Sequence, residues 1–144
     1  MREGWGSINW QSALDLGVRN GLFVAGWVGG WIVADLDKYV ASRVKVEGKA
    51  AEMMASWQAS VRNVLTLGCM ELLGFWAISS SGSLLAWGLV FGLSIRLYSE
   101  FLAEADYKKW YVVFARQFSD NEHKVFKILL GGMLIAQLLM LVRG

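Results

Sequence analysis

Three charged residues sit where a charge is costly. Glu71 lies near the middle of one long apolar stretch, and Arg96 and Glu100 lie inside another. A charge in hydrocarbon costs at least ~2.5–3.5 kcal/mol, so it is normally held by a partner, a water-filled cavity or a use. Two readings suit these residue types. One is an ion or proton relay; the other is a buried ion pair that sets the register of packed helices. Arg96 and Glu100 are one helical turn apart and can pair along a helix. They continue a stripe begun by Gly88 and Gly92, so the charges point where that helix packs closely. Glu71 either carries a proton or meets Arg96 across a hairpin. Counted from Ser81 at the turn, the two differ in depth by about 7 Å at 1.5 Å per residue, much of which an arginine side chain can close.

Other chemistries lack their residues. His123 and Cys69 are the only histidine and cysteine. No span offers a histidine for haem or chlorophyll, and Met70, Met133 and Met140 read as filler. There is no His/Cys/carboxylate metal cluster, no phosphate-binding glycine loop and no Ser–His pair. The pattern therefore predicts no catalytic residues, no metal, no cofactor and no enzyme. Cys69 reads as a small packing residue. A net charge of +2 is too small to argue for nucleic acid.

These residues must be positioned by helices in a bilayer. The chain is 56% hydrophobic and only 18% charged, against about 25% charged in soluble domains. Four apolar stretches, roughly 14–36, 64–80, 84–102 and 125–142, each approach the ~20 residues a spanning helix needs. The expected fold is one all-α transmembrane domain over 1–144. Arg2 followed by Glu3, with Trp5 and Trp10 nearby, does not suit a cleaved signal, so the first stretch reads as retained.

Ten of the 14 Lys/Arg fall in two connections. Lys38, Arg43, Lys45, Lys49 and Arg62 lie around the first. Lys108, Lys109, Arg116, Lys124 and Lys127 lie around the third. The serine-rich hairpin at 79–83 carries none. Positive residues stay in the cytoplasm, which places both basic connections inside and both termini outside, in a bacterial inner membrane or an organelle membrane. Both connections look amphipathic. Val46, Ala50, Met53, Trp57 and Val61 recur in the first. In the other, residues 93–118 lack Gly and Pro, which predicts one long helix carrying Tyr107, Trp110, Tyr111, Phe114 and Phe118 on one face. The two segments are expected to pack together below the membrane. Ser12 with Asp15, Ser83, and Ser119 with Glu122 supply helix-start signals. Trp5, Trp10, Trp76, Trp87 and Trp110 suit the membrane interfaces; Trp27 and Trp31, mid-span, suit packing or lipid contact.

Small residues recur every four positions. Gly17, Gly21, Ala25 and Gly29 form one ladder on the first span; Gly26, Gly30 and Ala34 form a second. Such ladders let helix backbones approach closely where no hydrophobic drive exists. They serve either packing within the chain or contact with a partner. A faint repeat at an offset of 62 matches Leu22, Gly26, Val28, Gly30 and Ala41 with Leu84, Gly88, Val90, Gly92 and Ala103; duplication and chance both account for it. The expected function is a structural or assembly subunit of a larger membrane complex, with other transmembrane chains, copies of itself and lipid as neighbours. The alternative is a homo-oligomeric ion or proton channel, or a small transporter, using Glu71, Arg96 and Glu100.

Overall fold

The structure, a computed structural model, describes residues 10–43, 48–81, 83–114 and 116–143. The expectations for Trp5, Lys45 and Val46, for the N-terminus, and for the side chains of Trp10 and Ser12 lie outside the described residues.

Every regular element among the described residues is helical. They are α1 (Trp10–Arg43), α2 (Lys49–Val61), α3 (Val64–Trp76), α4 (Leu84–Ala103) and α5 (Asp120–Arg143). A π-helical turn, Ala77–Ser81, continues α3, and a 3₁₀ turn, Tyr107–Tyr111, precedes α5. Among the described residues, three spans are long and apolar enough to cross a membrane: Leu14–Leu36, Leu84–Ala103 and Asp120–Arg143. A fourth arises if α2 and the continued α3, which meet at a 56° bend, count as one.

Local signals explain most boundaries. Asn63 caps α3, accepting from the Thr66 amide at 2.7 Å. Ser83 caps α4 through the Ala86 amide at 3.3 Å. Ser119 and Glu122 close a reciprocal box on α5: the Ser119 amide donates to Glu122 at 2.9 Å, and the Glu122 amide to the Ser119 hydroxyl at 3.4 Å. Ser12 does not start α1, which is already helical at Trp10. The Ser79 and Ser80 hydroxyls both turn back to the Trp76 carbonyl, at 3.1 and 2.6 Å. Such back-bonding competes with the backbone ladder and accompanies the widened last turn.

The long helix expected over 93–118 does not form. α4 ends at Ala103, and Glu104 adopts an extended ψ of 120°. The chain folds back so that Trp110, Tyr111 and Phe118 pack against Phe101, Leu97 and Leu67. A straight rod would have left these rings exposed, and burying one large apolar side chain is worth roughly 1.5–3 kcal/mol. Phe101 is fully buried, with Trp110 and His123 rings at 5.2 and 5.0 Å. Trp110 thus belongs to the core rather than an interface. Trp87 does too, packed on Phe23 at 5.0 Å, whereas Trp76 is exposed. Cys69 is exposed, contrary to its reading as a packing residue.

The expected packing of the two connections is also loose. A cleft of about 760 Å³ lies between α2 and the segment after α4, bounded by Ala55, Ala59, Arg62, Lys109 and Trp110. Met53 and Trp57 on α2 stay exposed.

The dominant contact is α1 on α4. Their glycines interlock reciprocally. A Cβ on Gly26 would overlap the Leu85 carbonyl, and one on Gly30 the Leu89 carbonyl. A Cβ on Gly88 would overlap the Phe23 carbonyl, and one on Gly92 the Trp27 carbonyl. Facing positions rise together along both helices, so α1 and α4 run parallel. Each contact has its mate 62 residues away, the offset of the faint repeat, so the two helices are related by a local pseudo-two-fold. α3 and α5 run the opposite way: Tyr98 on α4 meets Lys127 on α5, while Trp87 and Phe91 share a cluster with Leu134.

Candidate functional site

The stripe through Gly88 and Gly92 ends in a charge cluster. Arg96 Nε and Nη2 both donate to the Asp35 carboxylate at 3.0 Å, a bidentate pair across the α1–α4 contact. Arg96 also lies 3.3 Å from Glu100 and stands over the Trp31 ring, 5.3 Å from its centroid. Glu100 collects two further cations, Arg62 at 2.8 Å and Lys38. Lys38 and Glu100 occupy equivalent places in the repeat, so the pseudo-two-fold that pairs glycines also pairs opposite charges. Bidentate arginine–carboxylate geometry adds directional specificity to the ion pair. These charges are mutually satisfied, which gives them the character of a register clamp for α1, α4 and the start of α3.

Glu71 takes no part in the clamp. Of the two alternatives for Glu71, the meeting with Arg96 does not occur, because Arg96 is bound to Asp35 on α1 while Glu71 is enclosed between α3, α4 and α5. Glu71 is fully buried, as are Ser94 and Gln137. Gln137 Nε2 donates to the Glu71 backbone carbonyl at 3.1 Å. Both Glu71 carboxylate oxygens, Ser94 Oγ and Gln137 Oε1 have no hydrogen-bond partner among the described residues. Gly74 makes room for this: a Cβ there would stand 2.5 Å from Gln137 Oε1.

The small-residue ladders separate cleanly. Gly26 and Gly30 are consumed by α4, as are Gly88 and Gly92 by α1. Gly17, Gly21 and Gly29 have open space where a side chain would be, and Ala25 is exposed. Asp15 and Arg19 are exposed at the same end of α1.

The other end holds a ring cluster. Tyr107 stacks on His123 at 4.3 Å, and the Tyr111 hydroxyl meets His123 Nδ1 at 3.0 Å. Burial pushes the Tyr111 phenol up to about 12. The Tyr107 phenol is also raised, first by its hydrogen bond to the Asp120 carboxylate. Among the described residues, no three His, Cys, Asp or Glu side chains come together as a metal site.

Asp35, Lys38, Arg62, Ser94 and Gln137 are not singled out by the sequence pattern. For Lys38 a signal existed, since the 62-residue offset aligns it with Glu100. Ser94 and Gln137 announce themselves only as polar residues in apolar runs. No protein-family profile, curated protein or solved structure matches the chain.

Proposed function

We propose that the chain is a non-enzymatic structural or assembly subunit of a larger membrane complex. In this reading it crosses the membrane four times, as α1, the continued α3, α4 and α5. The basic connections lie in the cytoplasm and both termini outside, in a bacterial inner membrane. α1 and α4, which run parallel, would then both cross inward, and α3 and α5 outward. The remaining apolar surface faces lipid.

The observation that carries the reading is the unused ladder Gly17–Gly21–Ala25–Gly29. Each glycine in a helix costs roughly 0.8–1.0 kcal/mol relative to alanine, and three of these make no close contact with any of the described residues. Lipid offers nothing in return that alanine would not also receive. A second helix does, because small residues allow backbone approach and van der Waals packing. Only 17% of the α1 span is buried by the described residues, the same share as α5 and less than the 39% of α4. The occupant is another transmembrane chain or a second copy.

Purification in mild detergent tests this. The wild type is expected to elute with other chains or as an oligomer, and Gly21→Leu to release a folded monomer. A wild type that is a clean monomer with no companion sinks the reading.

A further inference from the structure

The middle of the α3–α4–α5 interface is a polar layer between two apolar ones. On one side lie Leu67, Leu97 and Leu130; on the other lie Ala77, Phe91 and Leu134. Between them along α3 and α4 come Glu71 and Ser94; on α5, Gln137 lies one turn beyond Leu134 and its side chain reaches the turn that follows Glu71. Glu71 lies ten residues before the end of the continued α3 at Ser81, and Ser94 ten after the start of α4 at Leu84, so at 1.5 Å per residue their depths agree within roughly 2 Å. Ser94 also shares the buried α4 stripe of Phe91 and Leu97, which packs on α3 and α5. Gln137 is tied to the Glu71 turn by its amide nitrogen at 3.1 Å. That bond commits the donor end of the amide and leaves Oε1 as an acceptor.

These three residues carry four buried oxygens with no hydrogen-bond partner among the described residues: two from Glu71 and one each from Ser94 and Gln137. Buried polar atoms are nearly always satisfied, and a buried carboxylate without a counter-charge costs several kcal/mol. No cationic side chain answers it from the elements packed around it. Arg96 is bound to Asp35 on α1. Lys127 on α5 is the charged neighbour of His123, and no side chain among the described residues hydrogen-bonds to the Glu71 carboxylate. His123 is held in the ring cluster by Tyr107 and Tyr111. Tyr98 on α4 is the titratable neighbour of Glu71, and its hydroxyl proton is already given to the Lys127 carbonyl at 2.8 Å. What the oxygens lack is positive charge, and hard oxygen donors suit small hard cations.

We propose that Glu71, Ser94 and Gln137 form an enclosed all-oxygen site for one monovalent cation, a proton or Na⁺. Glu71 supplies the charge, Ser94 and Gln137 complete the shell, and Gly74 provides the space that lets Gln137 reach α3. The site is separate from the Arg96 clamp and does not depend on the assembly reading.

The test uses the purified full chain in detergent. Folding stability is measured against Na⁺ at fixed pH, with choline replacing it, and against pH without Na⁺. Above the dissociation constant, a ligand of the folded state raises the folding constant about tenfold for each tenfold rise in its concentration. A response to Na⁺ identifies the metal ion. A pH response, with the C=O stretch of a protonated carboxyl in infrared difference spectra, identifies the proton. E71Q is expected to abolish whichever response appears. S94A keeps the carboxylate; it is expected to weaken a Na⁺ response about tenfold, or to shift the carboxyl stretch if the ligand is a proton. A wild type indifferent to both cations and lacking that stretch overturns the proposal, as does a response that E71Q retains.

Discussion

Gly88→Ala should weaken the α1–α4 contact far more than Gly21→Ala, although both add the same methyl to an α-helix. At position 88 the new Cβ overlaps the Phe23 carbonyl oxygen, a backbone atom that cannot rotate away. The helices must part by roughly 1 Å, and a gap of that size forfeits up to about half the dispersion attraction of each atom pair along the crossing. Overpacking of this kind costs about 1–3 kcal/mol, a factor of about 5–150 in the folding constant. Parting also pulls Arg96 from Asp35, two turns further along the same stripe, so the true cost should lie in the upper half of that range. At position 21 none of the described residues lies within 4 Å, so within a single copy alanine adds only its helix preference, ~1 kcal/mol in its favour. Reversible unfolding in mixed detergent micelles, followed by circular dichroism, reads the difference directly. If Gly88→Ala is as stable as Gly21→Ala, the parallel glycine contact is wrong.

Arg96→Ala removes the bidentate partner of Asp35 and leaves Lys38, 3.4 Å from Asp35, as the cation it shares with Glu100. Breaking a buried pair costs about 3–5 kcal/mol; here the arginine side chain is 22% exposed, so roughly 1–3 kcal/mol is expected in the same assay, with partial rescue by Asp35→Asn. Tyr111 sets an alkaline limit. Its folded phenol is pushed up to about 12, above the ordinary ~10 of an unfolded tyrosine. The stability it contributes is complete below about pH 10 and is lost as pH rises toward 12, so alkaline unfolding should shift to higher pH in Tyr111→Phe. If the variant unfolds at the same pH as the wild type, Tyr111 is not the controlling group.

Much of this was legible because it is periodic or chemically local. Apolar run length foretold the helices, and short polar motifs foretold the caps at Ser83 and Ser119. The stripe Gly88–Gly92–Arg96–Glu100 implied a tight contact bearing charge, and in the fold Gly88, Gly92 and Arg96 all meet α1. Its partner was harder to read, because two glycine ladders compete on α1 and differ by only one residue in phase. The repeat at 62 contained the answer: the Gly26–Gly30 ladder faces α4, and the same offset brings Lys38 to Glu100. The pairing of Glu71 with Arg96 failed because depth along a hairpin says nothing of rotation about each helix. The break after Ala103 was invisible for another reason. No glycine or proline marks it, and the chain turns because Trp110, Tyr111 and Phe118 bury better beside Phe101 than along an extended rod. The layer at Ser94 and Gln137 depends on three helices converging, which no single periodicity reports.

The central claim is that the open α1 ladder is a contact surface. Cysteine cross-linking in native membranes tests it most directly, using Gly21→Cys in a Cys69→Ala background. A control cysteine replaces Leu16, which is exposed and lies about 140° around the helix from Gly21. The account predicts rapid cross-linking from position 21, to a second copy or to another membrane chain, and little from position 16. Equal, slow reaction at both positions would contradict it.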